Sequence, residues 1–219
     1  MKTWKVALIG CGSIAESIYI PQMAHIPQTE LVAVCDIIPE RAQKYAERFH
    51  VPQWYPNIDE LLAHCDFDIL MDTASIPAHH EINMKALQAG KHLYSQKPVG
   101  LTVEQVTEQM EAAQKAGVKF AASPIHPLRP DILFIRDMIQ NGAIGKVTMV
   151  RAHTAHGGPE HFQYRDADPS WFFEPGAGAI YDMGVHGLTM AVAVLGPAKE
   201  VSCTAVISQP ERVYWPLTP

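Results

Sequence analysis

Short apolar runs alternate with amphipathic stretches from the start of the chain. Val6–Ile9 is an apolar run closed by glycines, the pattern of a parallel strand buried on both faces. A helix is predicted over Ile14–Met23, ending near Pro21 or shortly after it. Leu31–Cys35 is the next apolar run, and Pro39-Glu40-Arg41 opens a helix with proline in its first turn. Ile69–Met71 predicts a third strand, and Pro77–Ala89 a helix stopped by Gly90. His92–Tyr94 predicts a fourth strand, Thr102–Ala116 a helix ended by Gly117, and Val118–Ala122 a fifth strand. This alternation predicts an α/β fold built on a doubly wound parallel sheet.

The pattern changes after Ser123, and a domain boundary is placed at Ser123-Pro124, giving domains over 1–123 and 124–219. Asp131–Gln140 reads as a helix closed by Asn141-Gly142. Lys146–His153 and Val201–Ile207 read as strands, with a loop over His156–Pro175 and an apolar helix over Gly178–Leu195 between them. The second part is therefore expected to be α+β, and no internal repeat is evident.

Composition narrows the class. Apolar residues make up 47% and charged residues 18%, as in an ordinary globular protein. A net charge of -6 leaves no basic stripe to neutralise phosphates, which argues against a nucleic-acid partner. The four cysteines lack any CxxC pairing and read as reduced thiols of a cytoplasmic protein. The start resembles a lipoprotein leader, but the apolar run between Lys5 and Cys11 is only five residues, Val6–Gly10, against the 7–15 or so that a signal core needs. Gly176–Gly196 approaches membrane-spanning length, yet Asp182 and His186 in its interior predict a buried soluble helix, not a span.

The first chemistry lies in Gly10-Cys11-Gly12-Ser13-Ile14-Ala15, a GxGxxA pattern between a predicted strand and a predicted helix. Gly10 permits a tight turn, Gly12 lets backbone approach a pyrophosphate, and Ala15 lets the helix pack on the sheet. Ser13 and Ile14 open the helix, whose N-terminus faces the phosphate charge. About 20 residues further on, Asp36 ends the second strand, where a carboxylate binds the ribose hydroxyls next to adenine. These placements predict a Rossmann domain that binds NAD. NADP is the lesser expectation, because Asp36 repels a 2′-phosphate, although Arg41 could meet one.

Three further stretches resemble the Gfo/Idh/MocA oxidoreductase family, which joins a Rossmann domain to an open-faced substrate domain. They are His79-His80-Glu81 through Ala89-Gly90-Lys91-His92, then Gln96-Lys97-Pro98, and Gly176 through Tyr181-Asp182-Met183-Gly184-Val185-His186. By this resemblance Lys97 sits beside the nicotinamide and hydrogen-bonds the hydroxyl being oxidised. Ala74 and Ser75, in place of the family's common Thr-Pro-Asn, join His79 and Gln96 among the cofactor contacts. Gln96 replaces the family's Glu and removes a local carboxylate. The chemistry is sound independently: hydride leaves a carbon only if its hydroxyl loses a proton, so a base must be near and a cation helps hold the alkoxide.

Asp182 and His186 lie four apart on the predicted apolar helix and share a face. Such groups are costly there unless paired together or turned to a cleft. The resemblance makes His186 the proton acceptor, with Asp182 orienting it or binding a neighbouring hydroxyl, and Thr189 replaces an acid. His126, Arg129, His156, Arg165 and Trp171 are expected to line the sugar pocket, the aromatic ring by stacking and the polar groups by hydrogen bonding. His153, His156 and His161 lack metal-site spacing, so no metal is expected.

The family comparison also implies a substrate domain cut short after two strands, an edge completed by another part of the protein, a partner chain or a second copy. The expected function is NAD-dependent hydride transfer at a secondary hydroxyl of a sugar, polyol or sugar derivative. Two alternatives stay open: a glycosidase that keeps its NAD and acts by transient oxidation and elimination, and a non-catalytic truncated NAD-binding module. The first cleaves glycosides without net NADH, and the second binds NAD yet is indifferent to loss of Lys97 or His186.

Overall fold

A computed structural model of the chain describes residues 2–155, 157–159 and 170–211. The chain divides into two units, Met1–Ser123 and Pro124–Pro219. The first opens with strand β1 (Trp4–Ile9), whose last four residues are buried. After the glycine turn comes a π-helical turn over Ala15–Tyr19, then helix α1 (Ile20–Met23). The Ile20 N–H reaches back five residues to the Ala15 carbonyl. This wider turn delivers the chain to Pro21, which has no N–H to contribute.

Next come β2 (Thr29–Cys35), α2 (Pro39–Phe49), β3 (Gln53–Tyr55), α3 (Ile58–His64), β4 (Ile69–Asp72), α4 (His79–Gln88), β5 (His92–Ser95), α5 (Val103–Ala116) and β6 (Phe120–Ala122). The strands form one six-stranded sheet in the order β3-β2-β1-β4-β5-β6, and every pairing is parallel. The period-2 alternation of β1 explains why the strand reads as continuously apolar: Val6 and Leu8 enter one core with Val34, Ala15 and Tyr45, whereas Ala7 and Ile9 enter the other with Leu61, Leu70 and Leu87.

Two elements escaped the sequence pattern. β3 is a three-residue edge strand with exposed Gln53 and Trp54, too short to show a period. α3 follows at once, and its start was readable: the Asn57 side chain accepts from the Glu60 N–H at 2.8 Å, a helix cap.

The second unit contains α6 (Pro130–Gln140), a π-helical turn over Ile180–Gly184 and α7 (Val185–Leu195). It also holds 3-10 turns at His126–Leu128 and Ser170–Phe173. The strands expected at Lys146–His153 and Val201–Ile207 do not form among the described residues, neither segment being hydrogen-bonded into a ladder. They run without regular structure, with Met149, Val201, Val206 and Ile207 exposed. The apolar helix predicted over Gly178–Leu195 was expected to be buried, and of its residues only Gly187 is. Gly187 lets it approach the 152–154 segment, where an added Cβ would lie 3.2 Å from Thr154 Cγ2, while Ile180, Leu188, Val192 and Leu195 face outward. Among the described residues no helix is long and apolar enough to cross a membrane.

Candidate functional site

Parallel strands end on one side of their sheet, so the carboxyl ends of β1, β2, β4, β5 and β6 share one edge of the first unit. The strand order reverses between β1 and β4, which is where doubly wound sheets open a crevice for ligands. Gly10, following β1, has φ +91°, and a Cβ there would lie 2.4 Å from the Ala74 nitrogen after β4. Only glycine allows these two loops to touch. A Cβ on Gly12 would meet nothing within 4 Å, so its backbone faces open space. Ser13 Oγ is buried with no hydrogen-bond partner among the described residues. A turn open at Gly12 with an orphaned hydroxyl beside it fits the acceptor oxygens of a pyrophosphate.

The turn is tied to both neighbouring strands. The Gly10 N–H donates to the Cys35 carbonyl at 2.8 Å, and the Thr73 N–H donates to the Ile9 carbonyl at 2.8 Å. Thr73 Oγ1 lies 2.8 Å from the Gly10 carbonyl. The Tyr45 hydroxyl lies 3.0 Å from the Gly12 carbonyl and 3.1 Å from the Glu16 carboxylate. Burial pushes this phenol up, and the Glu16 charge adds to the effect.

Asp36 is 5% exposed and turns toward the glycine turn. Its Oδ2 accepts from the Cys11 N–H at 2.9 Å, and its Oδ1 accepts from the Ile38 N–H at 2.9 Å. Arg41 Nη1 stands 3.6 Å from Oδ2, so the guanidinium that could meet a phosphate is drawn to the carboxylate instead. The sequence predicts Asp36 at the ribose but does not reveal the bond to the Cys11 N–H that fixes the turn. The neighbouring thiols are inert: burial first, and the Asp36 charge second, push Cys35 up to about 12 and raise Cys11 likewise.

His79 is 1% exposed, and its Nδ1 lies 2.7 Å from Oδ2 of fully buried Asp72. Asp72 Oδ1 accepts from the Ala74 N–H at 2.9 Å. The structure thus sets His79 beneath the 73–75 loop as its support, not on a surface that a cofactor could touch; Ala74 and Ser75 form the loop itself. Lys97 follows β5, is half-buried, and precedes a cis peptide bond to Pro98. Its N–H donates to Gln96 Oε1 at 3.0 Å, while Gln96 Nε2 donates to the Tyr19 hydroxyl at 2.6 Å. The Gln96 amide accepts from one partner and donates to the other, whereas a carboxylate in that place would accept from both, the Tyr19 hydroxyl turning its proton toward it. Behind this segment Asn83 Nδ2 donates to Ser95 Oγ and to Gln109 Oε1, and Gln109 Nε2 donates to the Val99 carbonyl. This polar network joins α4 and α5 to the Lys97 loop, and no sequence motif announced it.

In the second unit Asp182 lies in the π-helical turn and His186 in the first turn of α7; both are half-buried. Such turns widen a helix locally and recur where side chains must be aimed. His126 Nε2 lies 2.9 Å from His186 Nδ1 across 60 residues. Arg129 is engaged with Asp131, its Nε and Nη2 reaching the two carboxylate oxygens at 3.0 and 2.7 Å on the exposed start of α6. Trp171 is half-buried and packs edge-on against buried Phe172 at 5.6 Å between centroids. His156 and Arg165 lie outside the described residues.

The chain is similar to known proteins in sequence and in fold. The chain is 30% identical to D-glucoside 3-dehydrogenase of Escherichia coli (strain K12) over 88% of its own length and 54% of that protein's. It is also 30% identical to 1,5-anhydro-D-fructose reductase of Ensifer adhaerens, over 92% of this chain and 60% of that protein. It therefore spans little more than half of these relatives' length. In fold it is similar to GenD2 from gentamicin A biosynthesis, solved in complex with NAD, with a TM-score of 0.79, 22% identity, and coverage of 90% of this chain and 54% of that one. The model of an oxidoreductase family with an NAD-binding Rossmann fold matches residues 4–123, and that of the GFO/IDH/MocA C-terminal domain matches residues 132–214. Glycine turn, strand order and both matches lead to one assignment: the chain belongs to the Gfo/Idh/MocA oxidoreductase family.

Proposed function

We propose that the chain carries the cofactor domain and part of the substrate domain of an NAD-dependent oxidoreductase acting on a secondary hydroxyl of a sugar, polyol or sugar derivative. The observation that carries this reading is the turn after β1, with Gly10 pressed on Ala74, Gly12 open, Ser13 Oγ orphaned and Asp36 closing the far side. The names of the relatives, a glucoside dehydrogenase and an anhydrofructose reductase, support the substrate class.

In this reading the Gly12 backbone and Ser13 hydroxyl meet the pyrophosphate, and Asp36 accepts from the ribose hydroxyls. NAD is preferred to NADP because a 2′-phosphate would face a buried carboxylate already paired with Arg41. Bound nicotinamide supplies the hydride acceptor. The chain supplies the rest of the chemistry: His186 accepts the hydroxyl proton, the Lys97 ammonium stabilises the charge left on oxygen, and Asp182 binds or orients alongside. Trp171 offers a ring face to the sugar. The Gln96 amide and the Asn83–Gln109 network hold the Lys97 backbone, so Lys97 acts from a fixed base.

Fluorescence titration with NAD and NADP tests the cofactor reading. NAD is expected to bind, with NADP at least about tenfold weaker, equivalent to about 1.4 kcal/mol. Binding of neither dinucleotide overturns the proposal, and tighter NADP overturns the preference. Turnover of sugar alcohols with net NADH release is expected to be lost in Lys97→Ala and in His186→Ala. Glycoside cleavage without net NADH would instead make the chain a glycosidase.

A further inference from the structure

Among the described residues, His126 and His186 are the only two histidines joined ring to ring, and the bond constrains which nitrogen of each is protonated. The rings meet edge-on, with centroids 5.2 Å apart and planes at 64°, and His126 Nε2 lies 2.9 Å from His186 Nδ1. At that distance one nitrogen carries the hydrogen and the other offers its lone pair.

The two arrangements have opposite consequences. If His126 Nε2–H donates, His186 accepts at Nδ1, so its neutral ring must carry a proton on Nε2 and has no lone pair left there. If His186 Nδ1–H donates, Nε2 is bare and can act as a base. Both rings stand on regular structure. His126 starts a 3-10 turn with Pro127, its carbonyl accepts from the Arg129 N–H at 3.1 Å, and α7 packs against this turn.

We propose that His126 is a positioning residue: its Nε2 accepts the Nδ1 proton of His186, which fixes the imidazole plane and leaves His186 Nε2 as the acceptor of the substrate proton. This rests on the reading of His186 as the base. In the step, the hydroxyl O–H bond breaks with its electron pair staying on oxygen, and a new N–H bond forms at Nε2. The imidazolium so formed keeps its Nδ1–H on His126, and that bond strengthens because its donor is now charged. A neutral imidazole thereby takes the part that a carboxylate plays in an acid–histidine pair. The expectation that His126 contacts the sugar directly is replaced by action through its neighbour.

Two measurements test this. Long-range nitrogen–proton NMR of the 219-residue chain with labelled histidine, assigned through His126→Gln and His186→Gln, reads the tautomers without any substrate. The expected result is a protonated Nδ1 and bare Nε2 on His186; the opposite tautomer overturns the proposal. Kinetics with a turned-over sugar alcohol then separate position from packing. His126→Phe is expected to lower kcat at least about tenfold, within the roughly 10²–10⁴-fold that a positioned base contributes, with KM little changed. His126→Gln, whose amide oxygen can accept the same proton, is expected to restore most of the loss. Equal kcat in wild type and His126→Phe overturns the proposal. The expected tautomer in a chain that turns over no sugar alcohol would count against the dehydrogenase reading and leave the histidine pair as described.

Discussion

Replacing Gly10 or Gly12 with alanine adds the same methyl group two residues apart and should give opposite results. At Gly10 the new Cβ falls 2.4 Å from the Ala74 nitrogen, 2.6 Å from Ala74 Cα and 2.6 Å from the Thr73 carbonyl carbon, all backbone atoms that cannot swing aside. The left-handed backbone at φ +91° adds a penalty of about 1–2 kcal/mol for any L side chain. Forcing the two loops apart costs about 1–3 kcal/mol by the usual scale of overpacking. Together these predict a loss of about 2–5 kcal/mol, which at a urea dependence of about 2 kcal/mol/M lowers the midpoint by roughly 1–2.5 M. At Gly12 the methyl meets nothing within 4 Å and the backbone is not left-handed. Stability should hold or rise by about 0.4–1 kcal/mol, because alanine restricts the unfolded chain. Yet the methyl stands where a pyrophosphate would approach, so NAD affinity should fall at least about tenfold. Urea unfolding by far-ultraviolet circular dichroism and titration with NAD read the two effects separately. A wild-type midpoint for Gly10→Ala refutes the steric argument. Unchanged NAD affinity in Gly12→Ala refutes the placement of the phosphates.

His79→Ala strips fully buried Asp72 of its imidazole and leaves only the Ala74 N–H beside it. A loss of roughly 3–5 kcal/mol is expected in urea unfolding, and an unchanged midpoint would contradict a supporting role for the pair. Asp68 is held below its ordinary value of 3.8 by the Lys5 backbone N–H, with Lys2 adding to the effect. A depressed native value stabilises the fold above the ordinary value and loses that contribution as pH falls through the native one. The stability gap between wild type and Asp68→Ala should therefore be steady from pH 7 to 5, below about 1 kcal/mol in size, and shrink toward pH 3. A gap independent of pH would argue against it. Cys11, Cys35 and Cys65 are buried and Cys203 is exposed, so a disulfide reagent at pH 8 should modify one of the four thiols quickly and all four only in denaturant. Rapid reaction of two or more in the native protein would contradict the burial.

The sheet was legible because a parallel strand buried on both faces leaves an uninterrupted apolar run, as Val6–Ile9 and Leu31–Cys35 do. β3 was not, since three residues at an edge carry no period, and Gln53 and Trp54 remain exposed. The glycine turn was legible through steric demand, which singles out glycine where Gly10 meets Ala74. Asp36 was found by position, but its bonds to Cys11 and Ile38 depend on where its carboxylate turns, which spacing does not reveal. The His79–Asp72 pair, the Asn83–Ser95–Gln109 network and the His126–His186 contact were invisible for a common reason: each joins residues brought together by the path of the chain, not by a repeat along it. The strands expected in the second unit failed differently. Val201–Ile207 has strand-like residues, but a strand exists only with a neighbour to bond.

The bonds from Cys35, Thr73, Asp36 and Tyr45 hold the loop after β1 as a rigid bracket. A bracket already in shape spends little entropy when a dinucleotide arrives, so encounter is governed by diffusion and orientation, with no slow rearrangement to wait for. Discrimination between dinucleotides then lies in how long each stays. On the proposed reading, a change at Arg41, which makes none of the bracket's bonds to the loop, would alter residence time and leave the rate of arrival almost untouched.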